Sequence, residues 1–367
     1  EYAQLSCILS RLTKTYYAYD LFSEILKDQK VKDSLIRKIC SNECKAEIVD
    51  DLLLLDHNEL AIQLIEGVPI KHDCLTNFLS NENYALRPLH NFFFTRDASV
   101  TLFNKVLISK MATKVRERES IIMQAIFDHH PSFNGQTLNP LDYPGFNREI
   151  KIEGGDLLIA SEDILLIGIG SRTSSQGIDF IVNWLKEYGG KKHVIVQELP
   201  SRPESFIHLD MTFTFLDINE VMIYEPLITK PNKYQTVHIQ IDNGKVKSIQ
   251  NVKNIPEALI DLGMDINLLY CGGKKEVIIQ EREQWHSGAN FFAVGPGKVI
   301  GYSRNVHTLE EMNKNGYEII KAKDFINGKK DPDSYSKYVI TVDGSELSRG
   351  GGGIRCMTMP VSRKDLQ

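Results

Sequence analysis

The stretch LLIASEDILLIGIGSRTSSQGIDFIVNWLKEYGGKKHVIVQEL (residues 157–199) decides the fold. It begins with two short apolar runs, LLIA and ILLIGIG, parted by a polar turn, which is the pattern of a hairpin. Its middle, SSQGIDFIVNWLKEY, spaces apolar residues at helical intervals. HVIVQEL then returns to strand character. A helix between a hairpin and a further strand supplies the crossover that parallel pairing requires, so the stretch reads as a strand, strand, helix, strand module.

The same pattern recurs on either side. FFF (residues 92–94) with VLISK (106–110), TFTFL (212–216) with VMIYE (221–225), and FFAV (291–294) with KVIGYS (298–303) each read as a hairpin. Helical stretches follow at RERESIIMQAIFDHH (116–130) and HTLEEMNKNG (307–316), the second leading into a strand at YEIIKA (317–322). Each module hides only part of its apolar face, so repetition implies modules packed around an axis, an α/β propeller. Weaker strand segments are expected at VHIQI (237–241) and EVIIQ (276–280), and a fifth module would be assembled from both ends of the chain.

Ahead of the first hairpin the pattern differs. LFSEIL, DSLIRKIC, EIVDDLLLL and NELAIQLIEG carry apolar residues at helical spacing, and Arg87-Pro88 closes the segment, since a residue before proline leaves the helical region. The expected organisation is therefore a remnant of the first module over residues 1–19, an inserted helical domain over 20–88, and the α/β propeller over 89–367.

Composition narrows the function. Lys and Arg number 43 against 48 Asp and Glu, a net charge of -5 without a long basic run, which disfavours a nucleic-acid surface. No apolar run approaches the ~20 residues of a membrane span. Cys7, Cys40, Cys44, Cys74, Cys271 and Cys356 lack both the paired spacing of a zinc site and the density of a disulfide scaffold, which suits cytosolic thiols.

Four polar signatures stand beside the strand units: FTRD (94–97), EGGD (153–156), HLD (208–210) and GGGGIRC (350–356). Together they hold a thiol, an imidazole and several carboxylates, a complete set for nucleophilic catalysis on a cation. Four glycines before Cys356 permit an exposed nucleophile on a tight turn; a cysteine packed under a loop is the alternative. His208 and Asp210, two apart, share a face if extended, as proton carrier and cation ligand, or with a further acid as a metal triad. Gly154, Gly155 and Asp156 are explained by turn chemistry, whereas Glu153 is not. Asp97 is a candidate acid that Arg96 could simply pair with.

These signatures, in this order, resemble the arginine deiminases of the guanidino-group modifying (pentein) superfamily. The likeness rests on NFFFTRD (91–97), IEGGD (152–156), HLDMTFTFLD (208–217), REQWHSGAN (282–290) and RCMTMPVSR (355–363). It implies a five-module pseudo-symmetric α/β propeller with an inserted helical domain, and hence that a strand usually found ahead of residue 1 is missing here. By the resemblance Cys356 is the nucleophile, His208 the acid and base, and Glu153 the carboxylate beside it. Asp97 and Asp210 clamp the guanidinium. Arg116 and Arg172, each 19 positions after an acid of the set, hold the substrate carboxylate, with Asn91 and Phe94 completing the pocket.

A guanidinium is a planar cation that resists attack, and two carboxylates can fix its plane while presenting its carbon to sulfur. The resemblance implies hydrolysis of free L-arginine in cytoplasmic arginine catabolism without metal or organic cofactor, and is compatible with a homo-oligomer. Agmatine, peptidyl-arginine and methylarginine hydrolases, amidinotransferases and a non-catalytic arginine binder share the same logic. A Cys and His peptidase would leave Asp97 and Asp210 without a task.

Overall fold

Four times among the described residues an antiparallel hairpin is followed by a helix and then by a strand that runs parallel to the hairpin's second strand. The computed structural model of the protein describes residues 1–133, 136–274 and 276–364. In the first unit Ser99–Leu102 pairs with Lys105–Ile108, helix Glu117–His129 crosses over, and Thr137–Leu138 runs parallel to the second strand. In the second unit Leu157–Ile159 and Ile164–Ile169 are followed by helix Ser175–Tyr188 and by Lys192–Glu198.

The third unit joins Phe213–Phe215, Glu220–Ile223, helix Ile255–Asp261 and Asn267–Tyr270. Within its crossover lies a further hairpin, Thr236–Asp242 with Lys245–Val252, which pairs onto Lys192–Glu198 and widens the second unit to five strands. The fourth unit holds Phe292–Gly295 and Lys298–Tyr302. After helix Val306–Lys314 the strand Glu318–Lys321 takes the edge, and Tyr338–Val342 fills the place between it and Lys298–Tyr302. The result is a mixed α/β architecture of several small mixed sheets with helices against them.

Helix boundaries follow local chemistry. Ser174 caps helix Ser175–Tyr188 by accepting from the Gly177 amide, an arrangement worth ~1 kcal/mol. The helix buries Ile178, Phe180, Ile181, Trp184 and Leu185 against Leu165, Ile167, Val194 and Val196 of its own sheet. At about 1.5–3 kcal/mol for each large apolar side chain taken from water, this face rather than helix propensity holds the module together.

The helices Ala18–Ile25, Gln29–Glu43 and His57–Glu66 bury Phe22, Ile36, Ile39 and Leu60 in one core with Ile122 and Ile126 of the first crossover helix. Arg118, buried on that crossover helix, pairs with Glu43 at 2.7 Å and donates to the Leu64 carbonyl at 2.9 Å. Helix Tyr2–Leu12 lies elsewhere, packing Leu5, Ile8 and Leu9 against Tyr302, Ile340 and Val342 of the four-stranded sheet. The Glu1 carboxylate accepts from the amides of Ser345, Glu346 and Leu347, just ahead of the glycine-rich loop.

Three expected elements differ. The FFF run is a turn, and the strand of that hairpin starts later, at Ser99, because Phe92 and Phe94 each enter a different core cluster. EVIIQ begins helix Val277–Trp285 instead of a strand, with Gln280 and Gln284 on its buried side four residues apart. YEIIKA is a strand, but it pairs with Tyr338–Val342 and not with its hairpin.

Gly177 gives a direct check on the packing. A Cβ there would lie 2.1 Å from the Lys151 carbonyl oxygen. Gly177→Ala, which would stabilise an open helix by about 1 kcal/mol, is expected to destabilise the fold by about 1–3 kcal/mol, read as a lower urea midpoint at unchanged slope.

Candidate active site

The hairpin of each unit is entered through a short turn, and FTRD, EGGD and HLD lie on such turns, while GGGGIRC follows the strand Tyr338–Val342. Asp97 sits in the turn Thr95–Ala98 ahead of Ser99–Leu102, Glu153 immediately before the turn Gly154–Asp156, and Asp210 within Leu209–Met211 with His208 as its preceding residue. Asn290 stands just before Phe292–Gly295. Repeated modules thereby bring their entry turns together: the Arg96 amide donates to the Cys356 carbonyl at 3.2 Å, and the Leu209 amide to Asp156 Oδ1 at 2.9 Å.

The glycines of EGGD serve this approach. A Cβ on Gly154 would stand 2.1 Å from the Arg96 carbonyl oxygen, and one on Gly155 would stand 2.5 Å from His208 Nδ1. Neither position has a left-handed backbone. Asp156 is structural: it accepts from Thr173 Oγ1 and the Leu209 amide, and burial raises its carboxyl to about 7.

The ionisable groups form a chain of alternating sign. Glu153, with no exposed surface, accepts from His208 Nε2 at 2.9 Å and from the Ala112 amide at 2.9 Å. His208 Nδ1 faces Asp97 Oδ1 at 3.7 Å, beyond hydrogen-bond range. Asp97 Oδ2 is held by Arg116 Nη1 at 2.8 Å, and the rest of that guanidinium is taken up by Glu119 and the Asn91 carbonyl. At the other end Arg172 Nη1 lies 3.7 Å from Glu153 Oε1.

Burial pulls the His208 imidazole down, but Asp97 and the hydrogen bond to Glu153 pull it further the other way, to about 9. The ring is therefore an imidazolium at neutral pH. Glu153, although burial opposes its charge, stays ionised through the same hydrogen bond. Burial also raises the Asp97 carboxyl, against the pull of His208 and Arg116.

Cys356 is 2% exposed. Burial first, then the carboxylates of Asp210 and Asp97, raise its thiol well above the ordinary range. Its Sγ lies 3.9 Å from Asp210 Oδ2 and 3.4 Å from Asn290 Nδ2. Asp210 Oδ2 also accepts from Arg355 Nη1 at 2.7 Å. Without substrate this is a protonated, protected sulfur.

Asn91, Phe94, Asp97, Arg116, Arg172, His208, Cys356 and the glycines of the loop line one cavity of about 160 Å³, with Glu204 and Ile207 at its wall. The glycines are needed here too, since a Cβ on Gly352 would stand 2.5 Å from the Phe94 ring. Three buried polar atoms of the site have no partner among the described residues: Asp97 Oδ1, Asp210 Oδ1 and His208 Nδ1. The two acceptors, on separate carboxylates, call for a ligand with several donors on a cationic frame, whereas the imidazolium Nδ1–H is a donor, free to give its proton. A larger recess of about 250 Å³, lined by Tyr16, Asp20, Glu24 and His130, carries no cysteine.

The structure thus gathers Cys356, His208, Asp97, Arg116, Arg172, Asn91 and Phe94 at one cavity, with Glu153 buried against His208 and Asp210 against the thiol. Four local readings change. Arg96 does not pair with Asp97; it donates to the Arg355 carbonyl and Thr358 Oγ1. Cys356 is buried rather than exposed, because the glycine loop closes on Phe94. His208 precedes and Asp210 lies within the helical turn Leu209–Met211, not on an extended strand, and they take different partners, Glu153 and Arg355. The His/acid cluster with ligand atoms within 4.8 Å is Asp97, Glu153 and His208, without Asp210; guanidinium groups already balance its two carboxylates. Arg116, expected at the substrate's carboxylate end, has its donors engaged by Asp97, Glu119 and Asn91. Asn290 and Arg355, both inside quoted motifs, went unread as neighbours of Cys356 because amide and guanidinium groups that grip the glycine-rich loop carry no spacing signal.

A sequence model described as arginine deiminase matches residues 8–363. The chain is 31% identical to an arginine deiminase of Listeria innocua serovar 6a, over 96% of this chain and 84% of that protein. It is also 31% identical to an arginine deiminase of Streptococcus agalactiae serotype V, over 95% and 83%. Among solved structures, ArgZ, an arginine dihydrolase from the ornithine-ammonia cycle in cyanobacteria, superposes with a TM-score of 0.48 at 17% identity over 74% of this chain and 32% of that one. A dimethylarginine dimethylaminohydrolase adduct gives 0.45 at 18% over 73% and 78%; both likenesses are too loose to build on.

Glu153→Gln tests the charge chain. The raised His208 charge stabilises the fold fully below the imidazole's unfolded value, ~6.5, and that contribution is lost as pH rises through about 9. Removing the Glu153 charge is expected to bring the His208 titration, followed by NMR, down by about one pH unit or more. An unmoved titration would show that Glu153 does not hold the imidazolium.

Proposed function

The chain belongs to the arginine deiminase family, and from that premise we propose that its cavity hydrolyses free L-arginine to L-citrulline and ammonia through a covalent amidino intermediate on Cys356. The observation that carries the reading is the pair of buried, unpartnered acceptors, Asp97 Oδ1 and Asp210 Oδ1, beside a thiol and an imidazolium that can give up its Nδ1 proton. A guanidinium supplies N–H donors to both carboxylates and a carbon for the sulfur.

Substrate charge starts the reaction. Between Asp97 and Asp210, a guanidinium offsets the two carboxylates that hold the thiol proton, and Cys356 ionises as that proton leaves to solvent. The thiolate attacks the guanidinium carbon. His208, an imidazolium held by Glu153, gives its Nδ1 proton to the departing nitrogen, which leaves as ammonia. The neutral imidazole then takes a proton from water, whose oxygen attacks the amidino carbon; collapse expels the thiolate, and loss of the remaining hydroxyl proton to that sulfur or to solvent leaves the neutral ureido product.

The amino-acid end of the substrate meets Asn91, Phe94 and Arg172, with Arg116 reaching the carboxylate only by exchanging one of its present partners. At about 160 Å³ the cavity is smaller than the ~300–1,000 Å³ of drug-sized sites, which suits one small amino acid better than a peptide. The four units, with the chain ends contributing a fifth, are proposed to surround this cavity as an α/β propeller, residues 20–88 being a helical insertion.

Incubation with L-arginine is expected to yield citrulline and ammonia, with agmatine and a blocked arginyl peptide at least about tenfold slower in kcat/KM. Cys356→Ser should keep arginine binding and lose at least about a thousandfold in kcat. Ammonia release by that variant at the parent rate would refute the mechanism. As kcat/KM reports free-enzyme ionisations, it should fall as pH rises through about 9, where His208 loses its proton; a rate still climbing there would exclude His208 as the acid.

A further inference from the structure

Asn290 has no role in the steps above, yet its amide is fully engaged at the nucleophile. It is 1% exposed and stands at the entry to the fourth hairpin. Its Oδ1 accepts from the Arg355 amide at 2.9 Å, next to the nucleophile in the chain. Its Nδ2 donates to the Asp210 carbonyl at 3.1 Å and to Cys356 Sγ at 3.4 Å.

One amide group therefore touches the sulfur and two backbone positions, one beside the sulfur and one at its carboxylate neighbour. The glycine loop is shaped around it. A Cβ on Gly353 would stand 2.3 Å from Asn290 Oδ1, so only glycine leaves room for the amide, and the Gly353 backbone N–H also faces the sulfur. The other groups near Sγ oppose ionisation or are committed elsewhere: Asp210 is an anion at 3.9 Å, and Arg355 gives its guanidinium to Asp210 and the Leu157 carbonyl.

We propose that Asn290 is a catalytic hydrogen-bond donor to Cys356, stabilising the thiolate before attack and again when it is expelled from the amidino intermediate. The amide keeps its proton throughout. In the resting thiol the sulfur is a weak acceptor; on ionisation the N–H···S contact becomes charge-assisted and strengthens. Once sulfur is bonded to the amidino carbon its charge is gone and the contact weakens. The donor thus favours the states in which sulfur carries charge, the condition for a catalytic contribution.

This inference rests on the proposed function for its place in the cycle, but its first test does not. Alkylation of Cys356 by neutral iodoacetamide, followed on the Cys356 peptide by mass spectrometry across pH, reads the thiolate directly. Asn290→Ala removes the donor; Asn290→Asp keeps an acceptor for the Arg355 amide but adds negative charge near the sulfur. The expected midpoints rise in the order parent, Ala, Asp, with the first step about one pH unit or more. A merely structural role would change the alkylation rate at every pH through altered access and leave the midpoint in place.

With L-arginine, Asn290→Ala should lose about 10–100-fold in kcat with KM changed less than about threefold. Unmoved midpoints in both variants, with urea unfolding showing each folded, would overturn the proposal. Moved midpoints in a parent protein that releases no ammonia from L-arginine would leave Asn290 as thiolate donor and remove the deiminase reading instead.

Discussion

The hydrogen bond between Glu153 and His208 is the constraint around which the site is arranged. Both side chains are almost wholly buried, and a bare charge at either position would be costly. Placed 2.9 Å apart they support each other, and the chain of charge continues through Asp97 to Arg116 and through Glu153 to Arg172. Every anion in that chain has a cation beside it. The exceptions are single carboxylate oxygens, Asp97 Oδ1 and Asp210 Oδ1, and those atoms mark where a cationic ligand would complete the pattern.

The fold makes this arrangement from repetition. A hairpin, a crossover helix and a parallel strand recur four times, and the turn entering each hairpin carries the polar residues of its module. Such turns are free of the strand ladder and can offer side chains, while the sheets behind them supply rigidity. Gly154 and Gly155 let their turn touch two others, at Arg96 and at His208; Gly352 and Gly353 let the Cys356 loop settle on Phe94 and Asn290. The glycine-rich signatures are thus explained more by close approach than by backbone freedom, with Gly351, at φ +82°, the exception in its loop.

Much of this could be read in the sequence. Alternation between short apolar runs and helical spacing identified four hairpins, the first with its opening strand set too early, and the helices of three of them, because each module buries one face of each element; the short helix Ile255–Asp261 went unread. The thiol, imidazole and carboxylates were recognisable as residue types. What escaped was pairing. Nothing in FTRD tells that Arg96 turns to the Cys356 loop while Arg116, just ahead of the crossover helix, takes Asp97. Tyr338–Val342 escaped as the strand inside the fourth sheet because register between distant strands leaves no local trace. Asn290 escaped because a buried amide acts only through its neighbours.

The central claim is that Cys356 becomes covalently bonded to the guanidinium carbon of L-arginine. Rapid acid quenching of the protein during its first turnover, followed by mass analysis of the Cys356 peptide, tests it directly. The expected species carries arginine less one ammonia on Cys356, formed before citrulline. Ammonia release through the first turnover with an unmodified Cys356 at every quench time would contradict the account.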